Sequence, residues 1–424
     1  MTTIERRLSP LNMVHCAWFI IFVAFASIGH AQEAELKDDQ RRFGKDPRTG
    51  TAQAVLVVNQ ALGHTGQLLP IDSDGKLVAP GAAAQIESLL NRKNGFHPAS
   101  CVKLNFYVAN PDVMAVVQEY LGKNLKYETQ PAVSFVQTRL PLLGALVAVD
   151  AIGGVDVRSA RERFKSWSKT SLIESRIAHA SILKAGPRVY ISGQAEKGAT
   201  LAEATRLTLE GLRKTLTHLN LNLDDVVQVK CFLTPMDQVA DVQREIVEFF
   251  APVTSIVKPA YAPPCVFVEW QSTLPIEIEL IVTVPQEVLE RERVGDKQTP
   301  REPLEFITPP GTTASPVFCR VVRVNDPRTI FVSGLYSRDA RDGAAQVKDV
   351  FAQLQEILKA SGSDLRHLAK ATYYVSDNDA SAKLNELRPK FYDPARPPAA
   401  SKAQVFGVGV EGRSLTLDMI AVPK

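Results

Sequence analysis

Three copies of one short pattern combine a polar side chain with a constrained backbone. In each copy an apolar stretch ends in a hydroxyl residue followed by glycine, as Thr65-Gly66, Ser192-Gly193 and Ser333-Gly334. The hydroxyl can donate and accept hydrogen bonds. A glycine that ends a strand marks a close approach of another backbone or a positive φ. The pattern therefore predicts three equivalent places where a polar group meets a tightly packed chain segment.

Metal, phosphate and dinucleotide chemistry are not indicated by the remaining motifs. Five histidines follow the first 31 residues, without i, i+4 pairing or a Cys-x-x-Cys companion, so we expect no metal site and no cofactor. These are His64, His97, His179, His218 and His367. His64, just before Gly66, either borders a pocket or is a core or surface histidine. Residues 407–412 fit G-x-G-x-x-G, but no helix-length segment follows, which favours a strand-edge turn.

Regular spacing indicates that the three patterns belong to three repeats. The intervals from glycine to a later lysine are 37, 37 and 36 residues, for Gly66 to Lys103, Gly193 to Lys230 and Gly334 to Lys370. In the second repeat, residues 178–185 and 188–194 are predicted to be paired strands, and apolar steps of 3 and 4 over residues 201–219 predict one helical face. The sequence predicts an α+β protein of three tandem β-β-α-β-α-β units.

The predicted organisation is three units, two linkers and an N-terminal leader. The first unit comprises residues 50–152, the second 176–285 and the third 313–424. Residues 153–175 and 286–312 are predicted linkers, the latter extended and solvated because of its charge and prolines. Residues 32–49 are polar and aperiodic, which predicts a mobile leader.

The first 31 residues have the pattern of a secretory signal peptide. Arg6 and Arg7 precede an apolar run over residues 17–25, and Gly29-His30-Ala31 offers small residues for cleavage. The alternative is an uncleaved anchor, but the run is shorter than the roughly 20 residues that span a bilayer. We therefore expect a secreted or periplasmic protein that does not associate with a membrane after cleavage.

Composition favours a soluble, globular chain. It is 45% hydrophobic and 22% charged with a net charge of +3, so no nucleic-acid partner is indicated. Four cysteines follow the signal peptide, which permits two disulfides in an oxidising compartment. Buried free thiols are the favoured alternative, because a chain of this length can bury enough apolar surface to fold without disulfide cross-links. The four are Cys101, Cys231, Cys265 and Cys319.

Several segments in order resemble the Rid family, also called the RidA, YjgF or L-PSP group. The second unit carries Tyr190-Ile-Ser-Gly-Gln194, the run Asp224 to Asp237 and Pro275-Ile-Glu-Ile-Glu279, and the first unit adds Gln130-Pro-Ala-Val-Ser134. The resemblance implies the chorismate-mutase-like RidA fold. Because family members assemble as homotrimers with pockets between subunits, three units in one chain imply an intramolecular pseudo-trimer that is itself monomeric. The alternative is three domains without a shared barrel.

The resemblance also implies a site chemistry, which this chain matches only in part. The hydroxyl-glycine pairs and Cys265 match pocket positions, and Glu277 matches a glutamate that helps to place water; Ala148 and Thr416 stand at its equivalents. Alternation alone would equally make Glu277 an outward strand residue. The family arginine that binds the substrate carboxylate is absent from all three units. Its positions fall at Val133, near Pro263 and at Ala400.

Three functions remain open. The leading hypothesis is an exported, small-metabolite-binding protein related to 2-imino acid deaminases, with the hydrolase activity lost or reduced. The alternative is an active, metal-free imine or enamine deaminase that anchors its imino- or oxo-acid ligand by other means, since an imine carbon is already electrophilic and placement of water can suffice. A neighbouring Arg139 or Arg396 could supply that anchor, although sequence does not say where either side chain points. A scaffold or interaction role has the weakest support.

Overall fold

The computed structural model describes residues 39–46, 49–72, 74–90, 101–125, 129–155, 176–251, 261–295, 301–339 and 342–424. The predicted signal peptide and most of the first linker lie outside these ranges. Within them, no helix is both long and apolar enough to cross a bilayer.

The first unit alternates strands with two helices. Its elements, with one strand that precedes it, are β1 (Gln40–Lys45), β2 (Ala52–Val58), β3 (Leu62–Thr65), α1 (Ala82–Leu90), β4 (Cys101–Val108), α2 (Pro111–Asn124), β5 (Ala132–Gln137) and β6 (Val147–Gly154). The Asn110 side chain caps α2 by accepting from Val113 N at 3.0 Å, and Pro111 suits the first helical turn.

The second unit repeats this order. Its elements are β7 (Ala180–Leu183), β8 (Arg188–Gln194), α3 (Leu201–His218), β9 (Val226–Leu233), α4 (Val239–Phe250), β10 (Cys265–Glu269), β11 (Ile276–Thr283) and the following α5 (Gln286–Gly295). Thr200 caps α3 by accepting from Glu203 N, and Glu203 accepts in return from Ala199 N. The predicted helical face of α3 is buried through Leu201, Leu212 and Leu216.

The third unit closes the chain with the same pattern. The remaining elements are β12 (Leu304–Ile307), β13 (Val321–Val324), β14 (Arg328–Val332), α6 (Gly343–Ala360), β15 (Leu368–Val375), α7 (Asn378–Leu387), β16 (Ala399–Gln404) and β17 (Leu415–Ala421). The observed α+β elements agree with the repeat read from the sequence.

One strand order is shared by the three units. In the second unit the order is β10-β9-β11-β8, with β10 parallel to β9 and the other pairs antiparallel. The first unit has β5-β4-β6-β3 and the third has β16-β15-β17-β14. The central strands β4, β9 and β15 are buried along their whole length. Helices pack on one side of them, and residues of all three units form a shared core on the other.

Strand pairs join each unit to both of the others. β7 of the second unit pairs with β3 of the first, β13 of the third pairs with β8 of the second, and β2 of the first pairs with β14 of the third. All three pairs are antiparallel. The prediction that β7 and β8 pair with each other is therefore wrong. Both edges of β8 are occupied, by β11 and β13, because a strand of the next unit covers the edge that would otherwise be exposed.

Two segments expected to be irregular contain regular structure. The predicted leader includes β1, which pairs with β2 over residues 40–45. The predicted second linker includes α5 and β12, so it is not extended throughout, although most of its described residues are partly or fully exposed. Val288 of α5 is buried, and Glu292 forms a bidentate ion pair with Arg323 at 2.7 and 2.8 Å. This tertiary ion pair adds to the local helix preference of α5, whose Gln, Glu, Leu and Arg residues are good helix formers.

Candidate functional site

The three hydroxyl-glycine pairs lie where the units meet. We name the meeting places junction A (Thr65-Gly66 with Cys265), junction B (Ser192-Gly193 with Ser401) and junction C (Ser333-Gly334 with Ser134). A Cβ at Gly66 would lie 3.1 Å from Cys265 O, and one at Gly334 would lie 3.2 Å from Ser134 Cα, so a backbone of another unit passes close to both glycines. At Gly193 a Cβ would lie only 2.0 Å from Glu277 Oε1. The close backbone approach predicted from the sequence is confirmed at Gly66 and Gly334, whereas at Gly193 the close neighbour is a side chain.

The hydroxyls at junctions B and C bind backbone groups of the neighbouring unit. Ser192 accepts from Ala400 N at 2.8 Å and donates to Cys319 O. Ser333 likewise accepts from Val133 N at 2.8 Å and donates to Ala52 O at 2.6 Å.

At junction A the hydroxyl instead stays within its own unit. Thr65 accepts from Ala151 N at 2.9 Å. The three hydroxyls therefore have protein partners in the structure, and the polar groups left to meet a ligand must come from elsewhere in the junctions.

Junction B brings Glu277 into this setting. Glu277 lies on β11 beside Gly193, whose backbone N–H donates to Ser401 Oγ at 3.2 Å. Its Oε1 atom is buried and has no hydrogen-bond partner among the residues described. Burial raises the pKa of Glu277 to about 7; the nearby Glu279 charge acts in the same direction, while the proximity of the Ser401 hydroxyl and the Arg320 charge oppose it. Glu277 is therefore a junction residue rather than an outward-facing one.

Arg320 is a basic residue at junction B that sequence reasoning missed. It directly precedes β13, and its carbonyl accepts from Ser192 N at 2.9 Å. Its guanidinium lies 5.0 Å from the centre of the Phe318 ring, and its Nε is buried without a partner in the described part of the chain. No local sequence pattern marks Arg320 as a junction residue. Its place at junction B follows from its position immediately before β13, which pairs with β8.

The two arginines considered from the sequence have other surroundings. Arg139 is 71% exposed, forms an ion pair with Glu269 at 3.5 Å and lies 5.5 Å from the Phe406 ring centre. Arg396 stacks 5.2 Å from the centre of the Phe306 ring, and its Nε is buried without a described partner. The charge of Arg320, rather than that of Arg139 or Arg396, acts to lower the pKa of Glu277.

Junctions A and C lack the carboxyl. By strand register, Ala148 lies opposite Tyr107 and Thr416 opposite Tyr374, as Glu277 lies opposite Phe232. The register of the parallel strands gives the equivalence at the family arginine position. Val266 lies opposite Lys230, Ser134 opposite Asn105 and Ser401 opposite Thr372, and these three partners occupy the same place in their central strands. Cys265, rather than Pro263, therefore corresponds to Val133 and Ala400. None of the three residues at that position is basic.

A central cluster of charged residues lies behind the junctions, around a cavity of about 30 Å³ lined by all three units. Lys103 pairs with Asp418 at 2.9 Å, which joins the first and third units. Lys370 pairs with Glu279 at 2.7 Å, which joins the third and second. Burial alone would raise the pKa of Asp418, but Lys103, Lys230 and Lys370 together lower it.

The third ion pair of this arrangement is missing. Lys103 and Lys370 lie opposite Ile152 and Ile420, whereas Lys230 lies opposite Glu279, two residues further along its strand. Gln228 therefore occupies the lysine position in the second unit, and it donates to Thr65 O at 2.7 Å. The equivalence of the three lysines predicted from spacing is wrong by two residues at Lys230, because the segment between glycine and strand differs in length.

Lys230 instead has an aromatic environment. Its Nζ lies 5.5 to 5.8 Å from the ring centres of Tyr107, Phe232 and Tyr374, one ring from each unit. Asp150 accepts hydrogen bonds from Tyr107 Oη and from Asn105 at 3.0 Å. Burial raises the pKa of Asp150.

The remaining candidate residues are buried within the fold. His64 is 1% exposed, and burial, aided by Arg188, lowers its pKa to about 3, so it is a neutral core histidine at neutral pH. The four cysteines are buried and free, as favoured from the sequence. Over the described ranges, no group of three or more His, Cys, Asp or Glu residues could hold a metal ion.

The repeated strand order and the junctions with their hydroxyl-glycine pairs define a class of α+β proteins built from repeated β-β-α-β-α-β units. The family model described as endoribonuclease L-PSP matches residues 171–284 and 312–422, more than half of the chain. The chain belongs to this family, the Rid (RidA/YjgF/L-PSP) group.

Individual relatives match about one unit each. Protein DfrA of Myxococcus xanthus is 30% identical over 112 residues, which are 25% of this chain and 84% of that protein. The 2-iminobutanoate/2-iminopropanoate deaminase of Rattus norvegicus is 32% identical over 102 residues, covering 22% and 73%. A YjgF-family structure from Neisseria meningitidis matches with a TM-score of 0.22 at 24% identity, covering 28% of this chain and 95% of its own.

Proposed function

We propose that this protein binds a small organic anion at junction B and that its imine-hydrolysing activity is lost or weaker than that of arginine-bearing family members. The observation that carries the binding proposal is the presence of two buried, unpartnered polar atoms, Glu277 Oε1 and Arg320 Nε, at one junction. A buried polar atom without a partner is costly, so a bound molecule that pairs with both is favoured.

The ligand class follows from these two groups. The guanidinium of Arg320 suits a carboxylate, with which it can form charge-assisted hydrogen bonds. Glu277 then faces a second polar atom of the same molecule. A 2-oxo acid or a 2-imino acid carries both features within a few bonds, in agreement with the names of the deaminase relatives.

Binding can be tested with 2-oxobutanoate as the probe, followed by isothermal titration calorimetry. Replacing Arg320→Gln removes the charge and should weaken binding about tenfold or more, since a hydrogen bond to a charged group contributes about 1.5–3 kcal/mol. Arg139→Gln is the matched control and should bind like the wild type, because Arg139 is exposed and paired with Glu269. Equal affinities of the two variants, or no binding at millimolar probe, would contradict the proposal.

The reduced activity is supported by the residues at the family arginine position. Val133, Cys265 and Ala400 cannot form a bidentate hydrogen bond with a carboxylate, so none of them holds a substrate as the family arginine does. The proposal predicts that hydrolysis of a freshly generated 2-imino acid to 2-oxo acid and ammonia proceeds little faster with the protein than in buffer.

An active deaminase is the second candidate, and Arg320 favours it. In this version Arg320 holds the carboxylate, and Glu277 and water complete the site. The assay is ammonia release from a freshly generated 2-imino acid. A clear acceleration that Glu277→Gln abolishes and Thr416→Val preserves would establish this candidate and overturn the proposal of lost activity. Thr416 is the matched control because it occupies the equivalent place at junction C.

We also propose that the three units of one chain form a pseudo-trimer, and that the exported protein is a single chain. The three antiparallel pairs β3–β7, β8–β13 and β14–β2 support the first statement, because they connect the units in a closed cycle. Export rests on the signal-peptide pattern alone. Cleavage after about residue 31 can be checked by N-terminal sequencing of the secreted or periplasmic product.

A further inference from the structure

A continuous set of contacts leads from junction B into the central cluster. Ser401 Oγ lies beside Glu277, accepts from Gly193 N at 3.2 Å and donates to Glu279 Oε2 at 2.8 Å. The other oxygen of Glu279 forms the 2.7 Å ion pair with Lys370 Nζ, and that ammonium also donates to Thr372 at 2.9 Å. Glu277 and Glu279, two residues apart on β11, therefore both lie beside one hydroxyl, which donates to Glu279.

The two carboxyls have opposite surroundings. Glu279 is 3% exposed and faces a lysine, so its charge is neutralised by a direct partner. Glu277 forms no ion pair with any residue in the described part of the chain. Four groups face the Glu277 carboxyl. They are Glu279 on the same strand, Ser401 on β16, the backbone of Gly193 on β8 and, at longer range, Arg320 before β13.

The single proton of the Ser401 hydroxyl can serve only one acceptor at a time. In the structure the Ser401 hydroxyl donates to Glu279 Oε2, with an oxygen–oxygen distance of 2.8 Å. Glu277 then loses a donor that would stabilise its ionised form and gains a like charge nearby. When two carboxyls compete in this way, the environments separate their protonation states.

We propose that Glu279 is a positioning residue that, through Ser401 and its own charge, keeps Glu277 as a neutral carboxylic acid able to donate a hydrogen bond into junction B. The consequence for ligand class, which rests on the proposed function, is that the atom facing Glu277 is an acceptor, such as a carbonyl oxygen or an imine nitrogen, and not a second carboxylate. Among the three junctions only B has this carboxyl, since Ala148 and Thr416 replace it at A and C.

The test is a ligand-free titration of the Glu277 carboxyl by infrared difference spectroscopy, with the Glu277→Gln variant subtracted. In the wild type the carboxylic acid band should persist at pH 6 and disappear with a midpoint near 7. In Glu279→Gln the midpoint should fall by about one pH unit or more, because the like charge is removed and Ser401 becomes free to donate to Glu277.

The matched control is Asp418→Asn, which breaks the equivalent central ion pair, Asp418 with Lys103, but leaves Ser401 and Glu279 in place. Its midpoint should stay at the wild-type value. A fall of the same size in Asp418→Asn would overturn the positioning role and assign the effect to general loosening of the centre. A wild-type Glu277 already ionised at pH 6 would overturn the proposal even if Glu279→Gln does not fold.

A second readout separates this inference from the proposed function. The affinity for 2-oxobutanoate should fall as pH rises through 7 in the wild type, and the fall should move to lower pH in Glu279→Gln. If the infrared midpoints behave as expected but 2-oxobutanoate does not bind, the binding proposal fails while the positioning role stands. If the probe binds with an affinity that does not change from pH 6 to 8, the acceptor requirement is refuted.

Discussion

The replacement Glu277→Gln gives the most direct energetic test of the site. Glutamine has the shape of a protonated glutamate but cannot ionise. The pKa of Glu277 is raised from 4.5 to about 7 in the folded protein, mainly by burial. The folded state therefore favours the neutral form, and the glutamate contributes its full stability only at low pH.

The size of this stability change follows from the linkage between proton binding by Glu277 and the free energy of unfolding. A folded pKa above the unfolded value means that stability is fully present below about pH 4.5 and is lost as pH rises through about 7. Each pKa unit corresponds to about 1.4 kcal/mol, so the total loss is at most about 3 kcal/mol. Partial exposure of Glu277 will reduce this figure. The glutamine variant lacks the loss, so it should gain stability relative to the wild type as pH increases.

The assay is urea unfolding of both proteins from pH 5 to 8, and the quantity compared is the difference in their free energy of unfolding. Contributions of all other groups largely cancel in this difference. We expect it to shift by about 2–3 kcal/mol in favour of Glu277→Gln across the range. Glu119→Gln, on the surface of α2, is the control and should show no comparable shift. A constant difference from pH 5 to 8 would refute the reasoning, because it would mean that Glu277 ionises normally in the folded protein.

Three further outcomes test the central cluster and the architecture. Lys103→Met removes one partner of a buried ion pair and should lower the free energy of unfolding by about 3–5 kcal/mol. Lys230→Met breaks no ion pair among the described residues, so its loss should be smaller by at least about 2 kcal/mol. Equal losses in urea unfolding would contradict the assignment of the ion pairs. Light scattering should give a single chain, and a mass of three chains would contradict the self-contained pseudo-trimer. The four buried thiols should react with a thiol reagent only after unfolding, and rapid reaction of the native protein would contradict their burial.

The helices and central strands could be predicted from sequence because their signals are local. Apolar steps of 3 and 4 mark α3 and α6, and the strands between them are short apolar runs. The pairing of β7 with β3 could not be predicted, because the partner lies more than 100 residues away and adjacent strands pair with each other more often. The helix α5 had a local signal, since Glu, Leu and Arg favour helices, but the charge and the prolines further along residues 286–312 masked it.

The site was only partly predictable. The family resemblance pointed to Glu277 and to the hydroxyl-glycine pairs, and these do lie at the junctions. It could not indicate Arg320, which belongs to no motif and reaches junction B only because β13 pairs with β8. Nor could spacing show that Gln228 takes the lysine position, since strand register is set by pairing across the sheet.

The sequence by itself determined the repeat, the α+β class and the absence of an arginine at the family position, because each depends on residue identity and short-range order. Only the tertiary structure decided which units share a junction, which lysines pair with a carboxylate, and that burial raises the pKa of Glu277 near Arg320. These properties depend on burial and on charges contributed by different units, and no local pattern records how separate segments meet.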